Sequence, residues 1–80
     1  MHLSELQDQV PAVVAGVEDC APADPIARRL RELGFVRGEV VRIVARGPIR
    51  ADPVLVQVGF TRFALRKAEA ARVMVDRRPE

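Results

Sequence analysis

Tryptophan and tyrosine are absent from this 80-residue chain, and cysteine and histidine occur once each. A lone Cys20 has no internal partner, which excludes a small domain stapled by disulfides. One His and one Cys fall short of the three or four converging ligands that a metal site needs, so His2 beside the amino terminus reads as an adventitious ligand at most. The same scarcity argues against an enzyme, because nucleophilic catalysis requires a side chain held against a base, and the single His stands at the start of the chain. No G-x-x-x-x-G-K-[ST] loop is present to cradle a nucleotide. No cofactor and no small-molecule substrate are therefore expected. Long apolar runs are missing too: Val10 to Val17 and Val54 to Val58 are far shorter than the roughly 20 residues of a membrane span. No leader with a charged, then apolar, then small-residue pattern opens the chain, so the expected location is the cytoplasm, with membrane contact only through a partner.

What is present is aliphatic. Apolar residues make up 49% of the chain, yet only Phe35, Phe60 and Phe63 are aromatic, so the core falls to Val, Leu and Ile, which favour strands. Eighty residues make one domain, here 1–80, with 77–80 expected as a frayed tail. The net charge of +2 hides an uneven distribution. Residues 1–27 hold five acids and no Lys or Arg, whereas residues 28–50 hold seven Arg against Glu32 and Glu39. A basic middle segment is a candidate surface for an acidic partner.

Leu3 and Leu6 open the chain at helical or turn spacing, and Ala12 to Val17 reads as a first strand. Glu18 to Ala23 is a loop. Asp24-Pro25 starts a helix: the carboxylate accepts from first-turn amides, and Pro at the first helical position sacrifices no hydrogen bond. Ile26, Leu30 and Leu33 form its apolar stripe, Gly34 ends it, and Arg28, Arg29, Arg31 and Glu32 face outward. Val40 to Arg46 is a strand with Val41, Ile43 and Ala45 on one side. Gly47 to Pro53, with its glycine and two prolines, reads as a loop before a strand from Val54 to Val58. A turn at Gly59, a strand from Arg62 to Leu65, one helical turn at 66–71 and a last strand from Arg72 to Asp76 complete the chain. The fold class is mainly β: five short strands curled into a small barrel that removes exposed edges, with one helix between strands 1 and 2 plugging an open end.

Four fragments in this order and spacing resemble the ferrous iron transport protein A (FeoA) family of small SH3-like barrels. They are Leu3-Ser4-Glu5-Leu6; Arg29-Leu30-Arg31-Glu32-Leu33-Gly34 followed by Gly38; Ala51-Asp52-Pro53-Val54-Leu55-Val56-Gln57-Val58; and Ala64-Leu65-Arg66-Lys67-Ala68-Glu69-Ala70 before Val73 and Val75. The chain departs at Gln9-Val10-Pro11, where the family usually has a turn glycine. The same barrel also closes iron- and manganese-responsive repressors, whose winged-helix and dimerisation regions are missing here. The resemblance implies an accessory or adaptor protein of bacterial ferrous iron uptake, acting by contact with the cytosolic part of a FeoB-type permease.

Candidate contacts follow from exposure and charge: Arg28, Arg29 and Arg31 on the helix, Ile49 and Arg50 in the loop, and Leu55 on the outward side of its strand with Val44 and Met74. The alternative is a basic small barrel that binds nucleic acid or acts as a metal-responsive regulatory module. The missing stacking aromatics weigh against nucleic acid.

Overall fold

The computed structural model describes residues 1–77. A 3₁₀ turn at Leu3–Glu5 precedes β1 (Ala12–Val17), α1 (Pro25–Leu33), β2 (Val40–Ile49), β3 (Asp52–Val58), β4 (Thr61–Leu65), α2 (Lys67–Ala70) and β5 (Val73–Arg77). The strands form one antiparallel sheet in the order β4-β3-β2-β1-β5. Every strand sends aliphatic side chains to a single cluster. Ala12 and Val14 meet Val41 and Ile43, then Val54, Val56 and Val58, then Leu65, Val73 and Val75. A flat sheet cannot bring its first and last strands to one centre, so this shared core is what curls it into a barrel. Each buried Val or Leu contributes about 1.5–3 kcal/mol of transfer free energy. Leu3 and Leu6 close one side of the cluster, while Leu30 of α1 and Phe35 close another.

The helix forms where the local chemistry places it. Asp24 accepts from the backbone N–H of Ile26 at 3.0 Å and of Ala27 at 3.5 Å, Pro25 is the first helical residue, and Gly34 takes the left-handed conformation with φ of 115°. Gln9 occupies the left-handed region with φ of 66°, in the turn before β1. It is held there from both ends: its N–H donates to Ile43 O at 2.8 Å and its Nε2 to Val44 O at 3.0 Å. A long amide side chain thus offsets the backbone cost that a glycine would avoid.

Four expectations are corrected. The segment from Gly47 to Pro53 is a tight hairpin rather than a loop, because Arg50 and Ala51 both take positive φ, 54° and 60°, and so supply a two-residue turn without glycine. Irregular register between Arg46 and Ile49 lets Pro48 stand inside β2. Ala45 is exposed rather than inward, because the register also shifts between Ile43 and Ala45 and turns the strand over. Edges survive as well: β4 and β5 are the two ends of the sheet. The outer side of β5 is covered by the amino terminus, where Val75 N–H donates to Met1 O at 2.8 Å and His2 bridges to Met74. Finally, Arg77 is the last residue of β5, opposite Ala12; the rest of the expected tail, 78–80, lies outside the described residues.

Gly47 is the one glycine with no room for a side chain. A Cβ there would run into Asp52 O and lie 2.9 Å from Pro53 Cδ, whereas one at Gly16 meets nothing within 4 Å. Gly47→Ala is expected to lower unfolding free energy by about 1–3 kcal/mol in urea titrations, with Gly16→Ala changing it little.

Candidate interaction surface

One carboxylate ties the start of the helix to the barrel. Asp24 is buried at the start of α1, and its Oδ2 accepts from Arg72 Nε at 2.7 Å and from Cys20 N–H at 2.9 Å. Arg72 in turn donates from Nη1 to Ala68 O at 2.7 Å, while its carbonyl accepts from Glu18 N–H at 2.8 Å. The loop from 18 to 24, α1, and the junction between α2 and β5 therefore meet at one ion pair. The Arg72 guanidinium, followed by the backbone donors, depresses the Asp24 carboxyl to about 2, and the same bond pushes the Arg72 value up.

With the helix fixed, the three arginines expected to act together divide. Arg31 folds back, donating to Val17 O at 2.7 Å and meeting Asp19 Oδ1 at 3.2 Å, so it fastens α1 to the end of β1. Arg28 and Arg29 stay exposed, with Arg28 beside Glu32 at 3.3 Å. Such an exposed pair holds a side chain weakly. Arg29 also borders a groove of about 140 Å³ between α1 and β4, lined by Ile26, Leu33, Phe63, Ala64 and Glu69.

The other expected contacts lie elsewhere. Ile49 is 75% exposed at the end of β2, and Arg50 stands beside it in the turn. Leu55 is half-buried on β3, opposite Ala45 of β2 and Ala64 of β4, which gives that outer face a short apolar row. Val44 and Met74 are half-buried too. Among the described residues no hydrogen bond or ion pair links the α1 arginines to the β2–β3 hairpin. The candidate surface thus has three parts: the outer face of α1, the hairpin tip, and the Leu55 row.

A family model described as the FeoA domain matches residues 1–77. The chain belongs to the FeoA family. It is 34% identical over 76 residues to an Fe(2+) transport protein A/Fe(2+) transporter FeoB fusion protein of Porphyromonas gingivalis. That match takes in 95% of this chain but spans only 8% of the fusion protein. Among solved structures, FeoA of Stenotrophomonas maltophilia complexed with zinc, described as a prokaryotic SH3 domain protein, has 64% identity and a TM-score of 0.88. The similarity covers 95% of this chain and 89% of that one. Iron(II) transport protein A of Clostridium thermocellum has 34% identity and a TM-score of 0.82, with coverage of 96% and 45%. The SH3-like barrel expected from the sequence is thus the fold of the domain, and its family is one associated with ferrous iron transport.

Within this FeoA domain, no three His, Cys, Asp or Glu side chains are grouped to hold a metal ion among the described residues. His2 is engaged instead with two carboxylates, its Nε2 2.9 Å from Glu18 and its Nδ1 3.1 Å from Glu5. Both contacts together favour the imidazolium, so first Glu18 and then Glu5 raise its pKa above 6.5. No helix among the described residues is long and apolar enough to cross a membrane. Sequence reasoning missed two features. Asp24 was legible as a cap, but Arg72 lies 48 residues away and nothing local announces their pairing. Phe60 was legible only as an aromatic, although its place after Gly59, two residues from the end of β3, is the signal of a hairpin tip.

Two pH responses follow. Asp24 titrates lower in the folded chain than its ordinary 3.8, so its contribution is complete above about pH 4 and is lost as pH falls through that range toward 2. In thermal melts, wild type should lose Tm over this interval more steeply than Asp24→Asn. His2 has the opposite sign: its contribution is complete below pH 6.5 and is lost as pH rises through the raised value. An NMR titration of the His2 ring should show a midpoint above 6.5 that returns toward it in Glu18→Gln.

Proposed function

We propose that this chain is a cytoplasmic accessory protein of bacterial ferrous iron uptake that acts as an adaptor, through contact with the cytosolic region of a FeoB-type permease. The observation that carries the reading is the fusion relative, in which a domain homologous to 95% of this chain is continuous with an Fe(2+) transporter FeoB. Covalent linkage raises the effective concentration of two domains for each other, a benefit only when they work in contact. The chemistry of the chain agrees with an adaptor rather than an enzyme, since its aliphatic interior is consumed in packing and leaves the outside for work.

Arg28, Arg29, Ile49, Arg50 and Leu55 are the proposed contacts. Arg28 and Arg29 carry positive charge on a helix face that the barrel does not need, and acidic groups of a partner would meet them there. Ile49 is a solvent-exposed apolar side chain of the size that anchors an interface. Arg31 serves a different end: its bonds to Val17 O and Asp19 hold α1 in place, so it positions the neighbouring arginines.

The test is capture of the purified cytosolic domain of the permease on immobilised wild type, Arg28→Glu/Arg29→Glu and Ile49→Asp. Wild type should capture it, and each variant should weaken capture about tenfold or more at unchanged Tm. Absence of capture by wild type at low ionic strength overturns the adaptor reading. A mobility shift with nucleic acid that weakens steeply with salt would favour the regulatory alternative.

A further inference from the structure

Five large apolar side chains lie open to solvent among the described residues, and three of them, Val36, Val40 and Phe60, are at one end of the barrel. Two turns meet there. Glu39 N–H donates to Val36 O at 3.1 Å to close the first turn, and Gly59 N–H donates to Val40 O at 3.4 Å, tying the β3–β4 hairpin to it. A side chain at Gly59 would begin 3.9 Å from Glu39 Oε2.

Phe60 is 105% exposed, so none of the described residues covers its ring. The hairpin does not require it. Val58 pairs with Thr61, which leaves Gly59-Phe60 as a two-residue turn with positive φ at the glycine, 57°. In that type II′ pattern the second position accepts most polar residues. The two other aromatics of the chain, Phe35 and Phe63, pack against each other with ring centroids 6.0 Å apart and planes tilted by 49°, Phe35 buried and Phe63 half-buried. An aromatic ring kept wholly in water at a protruding tip, beside exposed Val36 and Val40, points to an apolar medium outside the protein.

The charges around the tip name that medium. Arg37 is exposed on the first turn. Arg42 and Arg62 stand at the two ends of one rung of the sheet, Arg42–Gln57–Arg62, close to the tip. Glu39 is the one carboxylate on these turns. Arg42 and Gln57 also line a depression of about 520 Å³ with Pro11, Glu39 and Val40, to which Phe60 does not contribute. An exposed aromatic at a turn, with exposed Arg37 and Arg62 and half-buried Arg42 on the same and neighbouring segments, matches a bilayer interface, where rings settle at the boundary of headgroups and acyl chains and guanidinium groups meet phosphates.

We infer that this end of the barrel docks on membranes containing anionic phospholipid, with Phe60 entering the interface and Arg37, Arg42 and Arg62 on the headgroup phosphates. The inference is independent of the permease contact. It goes beyond the expectation of membrane contact through a partner only, which rested on the length of apolar runs.

The chain contains no tryptophan, so Phe60→Trp gives a single reporter at the tip. With this variant and with wild type, binding is measured on vesicles of equimolar phosphatidylglycerol and phosphatidylcholine and on phosphatidylcholine alone, at low ionic strength. Trp emission should shift to the blue on the anionic vesicles and stay unshifted on the neutral ones. In co-sedimentation, Phe60→Ser should lower the partition coefficient about tenfold or more. Arg62→Gln should lower it about fivefold. Neither side chain is in the core, so both variants should melt as wild type does. Failure of wild type to sediment with anionic vesicles overturns the inference and leaves the tip as a protein-docking site. Equal binding to both vesicle types, or an unaffected Phe60→Ser variant, overturns it as well.

Discussion

A single carboxylate organises this molecule. Asp24 accepts four hydrogen bonds, from Arg72 Nε and from the backbone N–H groups of Cys20, Ile26 and Ala27. A barrel of short strands has no internal reason to hold a helix at one orientation, because aliphatic contacts are non-directional. Charge-assisted hydrogen bonds are directional, and here they converge from the loop, the helix and the start of β5. Burial makes the arrangement demanding: removing Arg72 would leave the Asp24 charge uncompensated, and removing Asp24 would leave the guanidinium so. The orientation of α1, and with it the place of Arg28, Arg29 and the groove against β4, depends on this pair together with the bonds of Arg31 to Val17 O and Asp19.

Sequence carried much of the fold because local chemistry and the global arrangement agree at most positions. β1 was legible from Ala12 to Val17, and α1 from Asp24-Pro25 to Gly34, since each is bounded by residues with a distinct backbone role. The alternation of Val54, Val56 and Val58 placed β3 inward correctly. Where reading failed, the cause was tertiary. Gly47 and Pro48 signal a loop in isolation, but close approach to Asp52 and a shifted register admit both into a strand. Ala45 was misassigned because a bulge changes the period of a strand without leaving a mark in its composition.

The candidate surface was less legible than the fold, for a physical reason. Core positions are constrained by periodicity, whereas a surface residue reveals its role only through what else reaches it. Arg28, Arg29 and Arg31 look equivalent in sequence, yet Arg31 is committed to Val17 O and Asp19 and its neighbours are not. Phe60 is one of three phenylalanines with nothing in its composition to set it apart, and it is the most exposed large apolar side chain of the described residues.

The crowding at Gly47 divides the β2–β3 hairpin into a rigid neck and an open tip. The neck of the β2–β3 hairpin is closed by backbone against backbone, and tolerates no added atom on that side. Its tip, from Ile49 to Ala51, touches little else and is held by the neck rather than by its own side chains. A replacement at the tip therefore changes the surface the hairpin presents and leaves its frame alone, whereas any side chain added at the neck forces two strands apart.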